Sequence, residues 1–422
     1  MHFEDHVLHV GNVSTSDLAK RFGTPFYVYE ADVIRRQIAR IQTSFRSIPF
    51  RPFYAMKANA NLAILDLLCR SGFGVDAVSP GEVYLAKRAG LPADRIWFTC
   101  SNVSDDDLAA LLDPSIVINI NSMSEIDRCL RLGKTNPIAI RINPDVGAGH
   151  HRDVVTGGFG VKFGIALAEI DALRMVAESG GLKVVGLHAH IGSGIDGIAP
   201  LLESARTLVA TSSNFNDLEW INFGGGMSVP YSPGDRDFDL EAYGRELERI
   251  AGPTLRARNL TAILEPGRYV VAQSGTLVAR VTALRVSSGY SWIGCDTGFN
   301  HLARPSKYGA YHHILNASRG EDRWLRAMYE VDCLPQSEAI VAGNICESGD
   351  VFTRDINGPT PRCMAPTKVG DLLAFCDAGA YGFSMASHYN LRLLPPEILV
   401  DGDEVRLIRH RQTYDDLMKG QL

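Results

Sequence analysis

The chain is 422 residues long, with 45% apolar residues, 21% charged residues and a formal net charge of −6. That length exceeds one ordinary core and suits a large domain plus a second one. The mild, evenly spread charge and the lack of any apolar run near ~18 residues exclude a nucleic-acid surface, an anionic membrane surface or a membrane span as the organising feature.

The opening stretch MHFEDHVLHVGNV has neither a basic n-region nor an apolar h-region, which predicts no secretory signal. It holds a strand-like run, Val7–Val10, followed by a short helix. Ser14, Thr15 or Ser16 is the candidate N-cap, Leu18 and Phe22 are spaced i,i+4, and Gly23 is the stop. β-rich runs then follow at Phe26–Tyr29, Pro52–Met56, Gly74–Val78, Ile96–Thr99, Ile116–Ile120, Ile138–Ile142, Val184–His190, Trp220–Phe223 and Ala262–Leu264. Most gaps carry helical patterning, as in Ala31–Phe45, Leu62–Cys69, Pro80–Ala89, Ser124–Leu132, Ala166–Ser179 and Leu201–Ala210. Strand and helix alternating in this way predict βαβ units and a parallel sheet. Eight strands from Pro52 to Leu264, over roughly 210 residues, match a (β/α)8 TIM barrel; a doubly wound open sheet is the alternative.

Beyond Ser274 the pattern changes. Short runs such as Thr276–Val286, Ser291–Cys295, Met328–Val331, Ala339–Ala342, Leu372–Phe375, Ile398–Val400 and Val405–Ile408 recur between Gly, Pro, Asn and Asp, which predicts an all-β region. The expected division is a barrel over residues 28–274 and a β-domain over 275–422, joined by the segment 1–27 with its strand Val7–Val10. The eight cysteines form no C-x-x-C pair and no zinc-ligand spacing, so they read as reduced cytoplasmic thiols.

A barrel of this kind keeps its chemistry at the C-terminal ends of its strands. Those ends read Lys57, Asp76, Asn119, Arg141 with Asn143, His190 with Ser193, Gly224 to Gly226, and Glu265 with Gly267 and Arg268. Lys57 ends an apolar run in Phe53–Asn59 and is the candidate for covalent attachment of a carbonyl cofactor. A triple glycine after a strand is most often a tight turn. Here Gly224–Gly226 and Glu265–Arg268 occupy the loops after strands 7 and 8, where barrels recurrently bind phosphate. No G-x-x-x-x-G-K-[ST] loop for a nucleoside triphosphate is present. His188 and His190, spaced i,i+2, lack a third metal-ligand pattern; the preferred reading is one imidazole on a flat ring and the other satisfied inside the barrel. His150 and His151 lie in the Gly-rich loop Gly147–Gly164, read as a flap or solvated loop. A lysine, a phosphate cradle, a flat partner and a buried carboxylate together suit pyridoxal phosphate, with Glu265 as the ring-nitrogen carboxylate, although an ion pair with Arg268 is its structural alternative.

From Phe26 to the C-terminus the chain resembles the fold-type III pyridoxal-phosphate decarboxylases, and within them the diaminopimelate decarboxylase family. The motifs are YAMKANAN around Lys57, VDAVSPGE around Asp76, HAHIGSG around His190, GGGMSVPY from Gly224, LEPGR ending at Arg268, RPSKYGAYHHI from Arg304, CESGDVF from Cys346 and DAGAYGFSMASHYN around Tyr381; the tail RLIRHRQTYDDL is similar too. The resemblance implies that Lys57 forms the Schiff base, His190 stacks on the ring and Glu265 pairs with the ring nitrogen. It places the phosphate on Ser193, Gly224, Gly225, Gly226, Gly267 and Tyr381. It assigns the substrate's distal carboxylate to Arg268, Arg304 and Tyr308, its distal amine to Glu347, and proton donation to Cys346. It further implies a homodimer, with Cys346 and Glu347 reaching the partner's site, acting on meso-2,6-diaminopimelate to give L-lysine. Two arginines and a glutamate suit a substrate with a second amino-acid end. A sibling decarboxylase acting on ornithine, arginine or a carrier-bound or siderophore precursor, and a catalytically silent pyridoxal-phosphate-binding homologue, are the alternatives. Three positions depart from the family pattern: Met56 before the lysine, and Thr297 and His301 just ahead of Arg304.

Overall fold

Several short apolar runs, including Ile96–Thr99, Val117–Ile120 and Val184–His188, are buried at every position. A strand buried on both faces belongs in a parallel sheet covered by helices, and that is what these runs form. The computed structural model describes residues 1–99, 101–322, 325 and 337–422. The strand expected at Met328–Val331, together with Cys100 and Cys333, lies outside the described residues. Among the described residues no helix is long and apolar enough to cross a membrane. The chain divides into two units, one of Arg36–Val229 with Asp237–Tyr269, the other of Met1–Arg35, Pro230–Arg236 and Val270–Leu422.

In chain order, the second of these units begins with the strands β1 (His2–Glu4), β2 (Val7–Val10) and β3 (Val13–Ser14), the helix α1 (Thr15–Phe22) and β4 (Phe26–Glu30). Ser14 is the N-cap of α1 through its side-chain bond to the Asp17 amide, and Gly23 ends it. The first unit is the barrel. Its strands are β5 (Phe50–Ala55), β6 (Gly74–Ala77), β7 (Ile96–Thr99), β8 (Val117–Ile120) and β9 (Ile138–Asn143). A two-residue strand β10 (Ile165–Ala166) sits beside β9, and β11 (Val184–His188), β12 (Trp220–Asn222) and β13 (Thr261–Leu264) complete the series. All barrel pairings are parallel, and β8 to β9 with β13 to β5 closes the ring of eight. Register sets Ala55 of β5 opposite Asp76 of β6. The linking helices start on side-chain caps, Asn61 for Leu62–Arg70, Ser79 for Pro80–Arg88 and Asp239 for Leu240–Ala257.

Side chains from seven of the eight strands fill the barrel: Phe53, Trp97, Val117, Ala139, Val185, Trp220 and Ile263. The Trp97 ring stacks on Phe53 at 3.9 Å and on Trp220 at 4.0 Å between centroids. A Cβ at Gly186 would come within 2.3 Å of the Trp220 ring, so this strand position is glycine for close approach. Each buried aromatic contributes roughly 2–3 kcal/mol of transfer free energy. This plug sits below the strand ends that carry the polar residues.

The other unit is organised on the 13-residue strand β14 (Gly275–Ser287). It pairs antiparallel with β15 (Tyr290–Cys295), with the strand Leu372–Phe375 and with β4. The strand Glu397–Asp401 lies parallel to β4, and Ser337–Ala342 lies parallel to β15. The N-terminal strands form their own three-stranded sheet rather than joining this one. They are held by packing: Leu8, Val10 and Leu18 share a core with Val28, Val278, Leu372 and Ile398. The Leu8 amide also donates to Ala317 O at 2.9 Å.

Candidate active site

The barrel strands deliver their polar residues to one end. Lys57 lies in a single 3-10 turn, Met56–Ala58, just past β5. Asp76 is the third residue of β6, Glu265 follows β13 directly, and His190 lies two residues beyond β11. The charge of Lys57 acts on Asp76, His190 and Glu265, which places these groups in one electrostatic cluster.

Glu265 is 3% exposed, and three polar atoms are arranged around its carboxylate. His188 Nε2–H donates to Oε1 at 3.0 Å and Asn222 Nδ2 donates to Oε2 at 2.9 Å. His190 Nδ1 is 3.8 Å from Oε1. Burial opposes ionisation, and His188, its hydrogen bond, His190 and Lys57 more than offset it, so the carboxyl is held well below the usual range. The His188 tautomer is fixed from its other side by Asn119 Nδ2, which donates to Nδ1 at 2.6 Å. His188 therefore is the imidazole satisfied inside the barrel. Burial lowers the pKa values of both imidazoles against the pull of Glu265, that of His190 farther.

Asp76 behaves oppositely. Burial and the negative charge of Glu265 push its carboxyl well up, against Lys57 and a hydrogen bond with Thr99. Two carboxylates in one buried cluster are thus pushed in opposite directions, Glu265 down and Asp76 up. Asp76 Oδ1 is buried without a hydrogen-bond partner.

The glycine loop is tied to the same network. Asn222 Oδ1 accepts from the Gly224 amide at 2.8 Å, and the Gly225 amide donates to His190 Nδ1 at 3.2 Å. His190 therefore carries its proton on Nε2. Its carbonyl is held by Thr156 Oγ1 at 2.9 Å and Arg141 Nη2 at 3.4 Å. Gly224 and Gly226 adopt φ of 74° and 102°, and a Cβ on either would meet a carbonyl oxygen at 2.3 Å. Arg268, 5% exposed, points Nη2 at Ser193 Oγ, 3.1 Å away. Gly267 packs against Ala55 and Ala58, the residues flanking the lysine turn. The loop Gly147–Gly164 is not a free flap: Ala148 and Thr156 donate backbone bonds to Ile191 O at 3.2 and 3.1 Å, and His150 Nδ1 lies 2.9 Å from Ser193 O.

The β-unit holds the remaining candidates. Arg304 opens the helix Arg304–Tyr308, is 2% exposed, and donates from Nη1 to His312 Nε2 at 2.7 Å. His312 is oriented by donating Nδ1–H to Cys376 O at 2.8 Å. The guanidinium lies 4.4 Å from the centroid of the Tyr231 ring. Next to it in charge, Asp377 is 2% exposed, and burial raises its carboxyl to about 7 against the pull of Arg304. Tyr308 and Tyr381 are half-buried, Tyr381 with φ of 57°. Cys346 and Glu347 are exposed on a loop pinned by Asp350, which accepts from the Ile345 and Phe299 amides at 2.7 Å each. The Cys346 amide donates to Asn390 Oδ1 at 2.7 Å.

The departures Thr297 and His301 form one buried pair, Oγ1 to Nδ1 2.9 Å, with His301 Nε2 on Leu393 O at 3.1 Å and its carbonyl accepting from Tyr27 at 2.6 Å. They brace the turn before Arg304. Asn222, Asp377, His312 and Tyr231 were not singled out by sequence reasoning. Each lies inside or beside a motif, but its place in the site depends on a residue far along the chain, Glu265 for Asn222, Cys376 for His312 and Arg304 for Tyr231 and Asp377, so no local pattern marks it.

The set fits pyridoxal phosphate. A half-buried lysine, a glycine loop with no room for side chains, an imidazole and a buried carboxylate are groups that would suit the cofactor's carbonyl, phosphate, ring face and ring nitrogen in turn, and Asp76 leaves an unsatisfied acceptor in the same cluster. Fold and strand-end chemistry together define a barrel enzyme of the carbonyl-cofactor class. Residues 31–272 match the family described as pyridoxal-dependent decarboxylase, pyridoxal binding domain. The diaminopimelate decarboxylase of Methanothermobacter thermautotrophicus is 40% identical over 99% of this chain and 95% of its own length. That of Escherichia coli strain K12 is 37% identical over 96% and 95%. The crystal structure of diaminopimelate decarboxylase from M. jannaschii in complex with L-lysine superposes with a TM-score of 0.86 at 32% identity, covering 99% of this chain and 96% of that one. The chain belongs to the pyridoxal-dependent decarboxylases.

Proposed function

We propose that this protein decarboxylates meso-2,6-diaminopimelate at its D-centre, releasing CO2 and L-lysine, the last step of lysine biosynthesis. The observation that carries the chemistry is the buried Glu265 anion, clamped by His188 and Asn222 at the barrel's strand ends. The relatives' shared activity supports the substrate.

Bound pyridoxal phosphate supplies an electron-withdrawing ring that takes up the electron pair left on Cα when CO2 departs. Lys57 would hold the cofactor by its Nζ. Glu265 would keep a proton on the ring nitrogen, which would make the ring a stronger electron acceptor. His190, neutral and tethered by the Gly225 amide, presents its flat face. Asp76, Ser193, Gly224, Gly225, Gly226, Gly267, Arg268 and Tyr381 are proposed as the rest of the cofactor cradle. Arg268, Arg304 and Tyr308 would bind the distal carboxylate, Glu347 the distal ammonium, and Tyr381 would also contact the substrate. Cys346 Sγ would return the proton to Cα.

The exposure of Cys346 and Glu347 in a single chain supports a homodimer in which this loop serves the partner's site. The free thiols of Cys69, Cys129, Cys295, Cys346 and Cys376 support a reducing, cytoplasmic setting. The test is CO2 release from meso-diaminopimelate, ornithine, arginine and glutamate by the loaded enzyme. Turnover of diaminopimelate alone is expected. Preference for ornithine or arginine would replace the substrate, and no turnover of any would make the chain a silent homologue.

A further inference from the structure

Outside the strand-end chemistry, the N-terminal hairpin gathers a second set of donors. β1 and β2 pair antiparallel with His2 opposite His9 and Glu4 opposite Val7. Alternation puts His2, Glu4 and His9 on one face, while Leu8 and Val10 on the other are buried in the unit's core. The two imidazoles lie 5.2 Å apart between centroids with planes 20° from parallel. His9 Nε2 is 3.6 Å from Glu4 Oε2, and one donor atom from each of the three residues falls within 4.8 Å of the others. His9 Nδ1 lies 3.0 Å from Val7 O. Only the protonated nitrogen can donate to that carbonyl, so Nε2 carries the lone pair and faces the cluster. A backbone carbonyl that fixes the tautomer in this way is the usual outer support of a metal-binding histidine.

We propose that this face is a binding site for a divalent first-row transition ion, zinc being the reference case, with His2, Glu4 and His9 as its protein ligands. Two imidazoles and one carboxylate suit zinc, nickel or copper and not magnesium or calcium. Tetrahedral zinc with bonds of ~2.0–2.2 Å sets its donors about 3.4 Å apart. The His9–Glu4 spacing already approaches this, and rotation of the exposed Glu4 and of His2 closes the rest. Three ligands leave a fourth position for water or a donor from another molecule. The hairpin backbone is a fixed platform, since Leu8 N bonds Ala317 O at 2.9 Å and Phe3 N bonds Asp322 Oδ1 at 2.8 Å.

Zinc titration of the full-length, cofactor-loaded protein against a chromogenic chelator tests this. The unsubstituted chain should bind zinc, and His9→Ala should weaken that binding by about tenfold or more, the effect of losing one of three ligands. Glu4→Gln, which keeps side-chain shape and so the hairpin, should weaken it in the same direction. His6→Ala, in the turn of the same hairpin, should not. Cobalt(II) in place of zinc should show no thiolate-to-metal charge-transfer band. Binding unchanged in both His9→Ala and Glu4→Gln, a thiolate band from an exposed cysteine, or no uptake of zinc at all would overturn the site.

Discussion

Glu265 and Glu347 are both assigned to cationic partners, yet they sit in opposite surroundings. Glu265 is buried, with His188 and Asn222 already bonded to its two oxygens. Glu347 stands in solvent on a loop whose backbone, rather than whose side chains, is pinned, and its hydrogen-bond partner is the equally exposed Tyr389. The first region is organised before any ligand arrives. Its desolvation cost was met during folding, which is the condition for a fixed charge to act strongly on a bound ring. The second holds its groups in water, where a charge is screened and selects little until another surface excludes the solvent.

The sharpest break of that comparison is at the cofactor. Lys57→Ala should abolish the absorbance of covalently held cofactor and cut CO2 release by about 10³-fold or more. An unchanged spectrum would end the assignment. Next, Glu265→Gln should retain cofactor but lower kcat by roughly 10²–10³-fold, because the ring nitrogen loses its anion; full turnover would show that preorganisation there is dispensable. Cys346→Ala should reduce turnover by about 10²-fold while leaving the cofactor spectrum and thermal midpoint as they were. A loss of stability instead would mean that the exposed loop is as structural as the buried one. Arg304→Lys keeps the charge but loses the planar fork, and should raise KM for diaminopimelate about tenfold with a smaller change in kcat.

The smallest effect concerns stability. Burial raises the Asp377 carboxyl to about 7 from the ordinary aspartate value of 3.8. The folded chain therefore binds more protons than the unfolded chain between those pH values. Its contribution is complete below the unfolded pKa and is lost as pH rises towards 7, with a slope of at most about 1.4 kcal/mol per pH unit. Asp377→Asn should flatten that part of the profile, as read by urea midpoints at pH 5 and pH 8. A slope unchanged by the substitution would locate the titration elsewhere.

Much of this was legible in the chain. Eight apolar runs spaced by helical segments announced the barrel, and a polar or glycine residue after most of them located its chemistry. His188 was legible as a barrel imidazole because a strand's alternation puts it on the same face as His190. What was not legible is pairing across the ring. Asn222 looks like any strand-end amide until the closed sheet brings Glu265 to one side of it and the Gly224 amide to the other. The same holds for Arg304, His312 and Cys376, three residues whose relay depends on a strand returning from 60 residues or more along the chain. The departures at Thr297 and His301 stood out only as breaks in the family pattern; they are an internal brace, which their mutual bond reveals.

The aromatic plug has a consequence for proton traffic. With Phe53, Trp97 and Trp220 stacked across its bore, the barrel is a cup and not a tube. A proton or deuteron taken up at the strand ends would therefore have to come from the rim side and not through the bore.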